Sequence, residues 1–284
     1  MAAVLAAGTA LPCSGAEAPL VFVSIPPLAA IVEGVAGSRV RVASLLPPGA
    51  SPATYEPTPR QMAGLAEAVL FFRIGAPFED AVFNKTANLM PDLEVVDCRK
   101  GIELVPEEEH GHAGRGQAPP DPHIWLDPVR AETVTATVGE ALKKLLPGAA
   151  GELDRNTAVF QKELEQTNAR IAAILAPFAG RQVLVFHPAF GYLTRRYGLQ
   201  QLAVEVEGKT PSPRQLAALA DALEESHNRV LFAQPQFSQS AARAVADSLG
   251  CEVVELDPLS KNYPADLEII AQRIADALGG SGDT

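Results

Sequence analysis

The segment Thr58-Pro-Arg-Gln-Met-Ala-Gly-Leu-Ala-Glu-Ala68 returns, without a gap, as Ser212-Pro-Arg-Gln-Leu-Ala-Ala-Leu-Ala-Asp-Ala222. Seven of the eleven positions are identical, and the others are conservative apart from Gly64 against Ala218. Each copy opens on a hydroxyl residue followed by proline, the N-cap and N1 pattern that starts a helix. Each also follows the second apolar run of its half of the chain. A shared Pro-Arg-Gln at equivalent places argues for internal duplication, and so for two similar structural units.

The flanking pattern agrees. Strands are expected at Leu20–Ser24, Val40–Leu46, Val69–Arg73 and Glu94–Asp97. In the second half they are expected at Gln182–His187, Leu202–Val206, Arg229–Gln234 and Cys251–Leu256. These short runs of Val, Leu and Phe suit strands covered on both faces, with helical segments between them. The fold class is therefore α/β: two lobes, each a mainly parallel four-stranded sheet flanked by helices. Between the lobes, Gly151 to Phe178 reads as one helix, because Leu153, Phe160, Leu164, Ile171, Leu175 and Phe178 recur at helical spacings. At ~1.5 Å per residue it would span about 40 Å, enough to touch both lobes and make a stiff connector. The expected domains are a leader over 1–18, an N-terminal lobe over 19–148, a linking helix over 149–178 and a C-terminal lobe over 179–284. Within the first lobe, Glu107–Asp121 is polar and rich in Gly and Pro, so it reads as a mobile surface loop.

The leader rests on the apolar stretch Met1–Leu11 and on Ala16-Glu17-Ala18, a small-x-small cleavage pattern ahead of Pro19. This implies export, and hence an extracytoplasmic, periplasmic location. The basic residues that usually open such a leader are missing, which leaves room for a start codon upstream. Pro12 stands before Cys13 where a lipoprotein carries Gly or Ala. No later stretch holds 18 uninterrupted apolar residues, the minimum for a membrane span. Cys98 and Cys251 remain; they form no CxxC motif and end or begin strands in opposite halves, so two free thiols are expected.

A 47% hydrophobic chain with 20% charged residues excludes disorder and a disulfide-held miniprotein. A net charge of −11 argues against a nucleic-acid partner and suits a cationic ligand. The sequence has no G-x-S-x-G elbow, P-loop, dinucleotide fingerprint or H-E-x-x-H. The information lies in the five histidines: His110, His112, His123, His187 and His227. His187 and Asp257 stand at the carboxyl ends of strands, where open α/β sheets bind ligands. His123 precedes a helix in Asp121-Pro-His-Ile-Trp-Leu-Asp-Pro128. Two imidazoles and a carboxylate in an interlobe cleft make a zinc-type donor set. Taken one at a time, each residue also fits a packing or capping role.

Four motifs in order carry a resemblance: Pro47-Pro-Gly-Ala-Ser-Pro-Ala-Thr-Tyr-Glu-Pro-Thr-Pro-Arg-Gln61, Asp121-Pro-His-Ile-Trp-Leu-Asp-Pro128, Phe186-His-Pro-Ala-Phe-Gly-Tyr192 and Leu256-Asp-Pro-Leu259. Together they resemble the zinc/manganese solute-binding proteins of ABC importers, and the high-affinity zinc-uptake branch in particular. The resemblance runs from about Pro19 to Leu278. It implies a metal held between the lobes by His123, His187 and Asp257, and delivery to an ABC transporter permease by a monomeric carrier without enzymatic activity. It favours Zn²⁺ over Mn²⁺, since the family's manganese binders commonly carry a carboxylate where this chain has His187. One motif departs from the pattern: the family normally has His where this chain has Ala53, so water, Glu56, Glu205 or a loop histidine is left to fill the fourth position. The loop Glu107-Glu-Glu-His-Gly-His112 resembles a shortened form of the family's acidic, His-rich loop. Two other readings stay open: a paralogue with an altered site and another ligand or surface role, and a zinc-dependent hydrolase with Glu56 as general base.

Overall fold

The computed structural model describes residues 17–86, 90–106, 119–205, 211–226 and 229–280. The first half runs β1 (Leu20–Val23), α1 (Pro26–Ala36), β2 (Arg41–Ser44), α2 (Pro59–Ala66), β3 (Leu70–Arg73), α3 (Pro77–Thr86) and β4 (Glu94–Asp97). Two long helices follow, α4 (Pro128–Leu145) and α5 (Ala150–Leu175). The second half runs β5 (Gln182–Val185), α6 (Gly191–Arg196), β6 (Gln200–Ala203), α7 (Pro213–Ser226), β7 (Val230–Ala233), α8 (Gln239–Leu249), β8 (Glu252–Glu255) and α9 (Ala265–Gly280).

Both sheets are four-stranded and parallel, with orders β2-β1-β3-β4 and β6-β5-β7-β8. The same winding occurs twice, so the duplication read from two helices extends to topology. It extends to hydrogen bonding as well. The Thr58 amide donates to Gln61 Oε1 at 2.9 Å, and the Gln61 amide donates back to Thr58 Oγ1 at 3.3 Å. Ser212 and Gln215 repeat that exchange at 2.8 and 3.4 Å. Each pair is a capping box, which satisfies otherwise unpaired donors at the start of α2 and α7.

In each sheet the chain winds outward from the first strand to the second, then crosses back to the third. This leaves a crevice at the carboxyl ends of the inner strands. The side chains of β5 alternate with period two. Val183 and Val185 enter a core shared with α5, α9 and the N-terminal lobe, whereas Leu184 and Phe186 enter a smaller cluster beneath α7 and α8. The larger core is continuous across both lobes, and α5 packs on α1, α4 and α9. Polar ties join the lobes too. Trp125 Nε1 donates to the Pro258 carbonyl at 2.7 Å, and the Tyr263 hydroxyl donates to the Trp125 carbonyl at 2.8 Å. These contacts oppose wide separation of the two lobes.

The expected helix over 151–178 is observed as α5 plus a final 3₁₀ turn, Ala176–Phe178. One strand needs correction. The second strand of the C-terminal half is Gln200–Ala203, not Leu202–Val206; Val206 lies outside the described residues. The ladder sets Gln182 opposite Gln200, and the amide of buried Gln201 accepts from the Phe190 amide at 2.8 Å. A search for apolar runs passes over a strand that begins on two glutamines. No helix among the described residues is long and apolar enough to cross a membrane.

Candidate metal centre

The crevice rule places the site. A cavity of about 330 Å³ lies where the carboxyl ends of the two sheets face each other. From the first lobe it takes Ala53, in the segment after β2, and Pro77, after β3. From the second it takes His187 after β5, Glu205 after β6 and Gln234 after β7, and His123 closes it from the segment before α4. A larger, open groove of about 910 Å³ beside β4 and α4 holds no histidine or cysteine and shares no residue with this cavity.

His123 and His187 come together, their ring centroids 5.5 Å apart at 72°. Each imidazole is held through Nδ1 by its own carboxylate. His123 Nδ1 lies 2.7 Å from Asp121 Oδ1, which also accepts from the His123 amide at 2.9 Å. Asp121 is buried against α6, where a Cβ added to Gly191 would stand 3.1 Å from Asp121 Oδ2. Its carbonyl accepts from the Tyr192 hydroxyl at 3.1 Å, so the second lobe fixes the residue that orients His123. His187 Nδ1 lies 2.8 Å from Glu205 Oε2. Glu205 reaches that position because the β5–β6 ladder runs on past the strands, its amide donating to the Phe186 carbonyl at 2.8 Å. Gln234 clasps the backbone of His187, accepting from its amide at 3.3 Å and donating to its carbonyl at 2.8 Å. The Phe237 ring stacks on the imidazole with a centroid distance of 4.5 Å. A carboxylate on Nδ1 selects the tautomer with its proton there and leaves the Nε2 lone pair for a cation.

Asp257 follows β8, and its Oδ1 accepts from Gln236 Nε2 at 2.7 Å and from the Leu259 amide at 2.9 Å. Its neighbours Gln236, Pro258 and Leu259 line the cavity. Asp257 itself is not in the lining, and no group of three or more His, Cys, Asp or Glu side chains placed to hold a metal ion occurs among the described residues. Glu56 is exposed and outside the lining, whereas Ala53 is part of it. His110, His112 and His227 lie outside the described residues.

Sequence reading missed Asp121, Gln234, Gln236 and Phe237, and weighed Glu205 only as a substitute ligand. A signal for Gln234 was present, since it ends a strand just as His187 and Asp257 follow theirs. Asp121 gave no comparable sign, because an Asp-Pro pair reads as a turn.

Two α/β lobes of one winding, a stiff shared helix and an imidazole-lined cavity between strand ends define a two-lobed binding protein. Residues 21–277 match the family described as zinc-uptake complex component A, periplasmic, and the chain belongs to that family. It is similar to the high-affinity zinc uptake system protein ZnuA of Yersinia pestis, with 29% identity covering 87% of this chain and 85% of that protein. It is likewise similar to the protein of that name from Paracoccus denitrificans, with 29% identity and 97% of each covered. A crystal structure of ZnuA superposes with a TM-score of 0.85 at 35% identity, covering 92% of this chain and all of the other.

Proposed function

We propose that this protein captures Zn²⁺ outside the cytoplasm and hands it to the permease of an ABC importer. The observation that carries this reading is the facing pair His123 and His187, each anchored through Nδ1 and each keeping Nε2 for a ligand. Neutral imidazole suits zinc better than manganese, which favours oxygen donors. Asp257 is the third ligand: Gln236 and the Leu259 amide engage its Oδ1, and a small closure of the lobes brings Oδ2 to the ion. Ala53 stands where the resemblance implies a fourth ligand, so a water completes the shell.

The chain acts as a monomeric carrier, without catalysing a reaction and without a nucleic-acid partner. Residues 1–18 serve as the export leader, and the lobes divide as 19–148 and 179–284 around the linking helix 149–178. The test is to count metal by native mass spectrometry and titrate zinc against a competing chelator. One equivalent per chain is expected, with the tight site lost in His123→Ala and in His187→Ala. Unchanged uptake in either variant would place the metal elsewhere.

A further inference from the structure

Trp125 is buried, yet it forms part of the cavity wall beside His123, with 5.2 Å between the ring centroids at 53°. The two residues share one short 3₁₀ turn, Ile124–Leu126, with His123 at its cap. The Leu126 amide donates to the His123 carbonyl at 3.2 Å, and the Asp127 amide donates to the Ile124 carbonyl at 3.2 Å. Carboxylates fix both ends of the turn: Asp121 through the amide and ring of His123, and Asp127 as the cap of α4. His123 and Trp125 are therefore held as one unit.

The indole carries that unit into the second lobe. An indole N–H can only donate, and a buried one needs an acceptor. Here Nε1 donates at 2.7 Å to the carbonyl of Pro258, the residue directly after Asp257. Further along the same segment, the Tyr263 hydroxyl donates to the Trp125 carbonyl at 2.8 Å. Asp257 is itself bent onto this segment, its Oδ1 accepting from the Leu259 amide at 2.9 Å. One side chain thus joins the turn that bears His123 to the turn that bears Asp257. A ring that only filled space would need apolar surroundings, not a directed bond to the peptide beside Asp257. Fixing the separation of two ligand-bearing turns before the ion arrives lowers the ordering cost of binding.

We propose that Trp125 is a positioning residue of the metal site: its indole N–H, by holding the Pro258 carbonyl, sets the position of Asp257 relative to His123. Asp257 then comes to the ion with its turn still tied to the turn of His123. This rests on the zinc-capture reading above and deepens it, by assigning a role to a residue outside the ligand set.

The test is a double-mutant cycle on the full chain. Trp125→Phe keeps an aromatic ring beside His123 and removes the N–H; it is made in wild type and in Asp257→Ala. Zinc affinity is measured against a competing chelator, and the visible absorption of the Co²⁺-loaded protein is recorded. In wild type, Trp125→Phe should lose about tenfold in affinity, the usual effect of removing an outer partner of a metal ligand, and shift the Co²⁺ bands. In Asp257→Ala it should cost little more, because the reach of the carboxylate no longer matters. Unchanged affinity in the single variant, or an equal loss in both backgrounds, overturns the inference alone. An Asp257→Ala protein that binds zinc as wild type does, or a wild type that binds none, overturns it together with the reading it rests on. Should Trp125→Phe fail to fold, a crystal structure of the zinc-loaded wild type decides. Trp125 Nε1 should remain within about 3 Å of the Pro258 oxygen while Asp257 binds the ion. A broken contact with Asp257 on the ion overturns the inference.

Discussion

His187 and Glu205 are joined by a 2.8 Å contact from imidazole Nδ1 to Oε2, made where the β5–β6 ladder runs past both strands. The carboxylate fixes the ring's tautomer and raises the basicity of the free nitrogen. Glu205→Ala should therefore weaken zinc binding between about tenfold and a hundredfold. Glu205→Gln keeps an acceptor but loses the charge, and should fall between wild type and Ala. Chelator competition on the three proteins checks the order. Equal affinities would mean that Glu205 only packs against the ring.

Asp127 couples the two histidine-bearing segments at a distance from the cavity. Its buried carboxylate caps α4 through the Val129 amide at 3.0 Å and receives Arg196 of the second lobe through Nε and Nη2, both at 2.8 Å. Arg130 supplies a further contact. Arg196→Ala leaves that carboxylate in the interior with one guanidinium instead of two. The expected loss is about 2 kcal/mol, below the range for a buried charge stripped of all partners because Arg130 remains. Arg196→Lys should recover only part of it, since an ammonium cannot make the two-pronged contact. Denaturant unfolding of both variants measures the difference.

The two-lobe architecture was legible because it is written in features the chain cannot hide. Strands covered on both faces are apolar runs, and a hydroxyl residue followed by Pro-Arg-Gln starts a helix at both Thr58 and Ser212. Gln201 escaped because a buried amide with a private partner looks, in sequence, like a solvated one, and Gln200 escaped because it is exposed and carries no apolar signal. The proposed metal site was legible only in its two histidines. His123 and His187 stand out in a chain with few histidines, and the fold does bring their rings together. Gln234 and Gln236 touch residues far from them in the sequence, and Asp121, though only two residues from His123, is held by Tyr192 of the other lobe; none of this leaves a pattern of spacing. Gly191 belongs with them: its value lies in the approach of Asp121 from another element, which only the folded chain makes visible.

The thiols offer a separate check. Among the described residues Cys98 and Cys251 are both free, as expected from the strands they flank. Cys98 is fully buried; burial pushes its thiol well up, and the charges of Asp97 and Glu79 add to the effect. Cys251 is half-buried, and burial raises it while Arg229 partly opposes the rise. Since the thiolate is the reactive form, iodoacetamide at pH 8 should alkylate Cys251 slowly, and Cys98 only when the first lobe unfolds. Peptide mapping after a native pulse tests this. Early labelling of Cys98 would mean that the core beside β4 opens locally.

The last prediction concerns the loop that carries Ala53. That loop is held from its far end: Gln61 donates to the Leu45 carbonyl at 2.7 Å and accepts from the Tyr55 hydroxyl at 2.6 Å and the Thr58 amide at 2.9 Å. Closer in, the Ala53 amide donates to Ser51 Oγ at 3.3 Å, and position 53 lines the cavity together with His123 and His187. A longer side chain there would grow from an anchored backbone into the space that the ion is proposed to occupy. Ala53→His should thus replace a water with a preorganised imidazole and tighten zinc binding at least tenfold, which requires only ~1.4 kcal/mol. The gain has a definite pH sign. An imidazole must be neutral to ligate, so the advantage should be full near pH 8 and fade below about pH 6, as protons compete for the new ring. Calorimetry with a competing chelator at both pH values decides it. Adding Gln61→Ala should erase much of the gain, because the loop would no longer hold the new ring in place. Equal affinities for Ala53→His and wild type at pH 8 would show that the cavity closes its fourth position without any help from this loop.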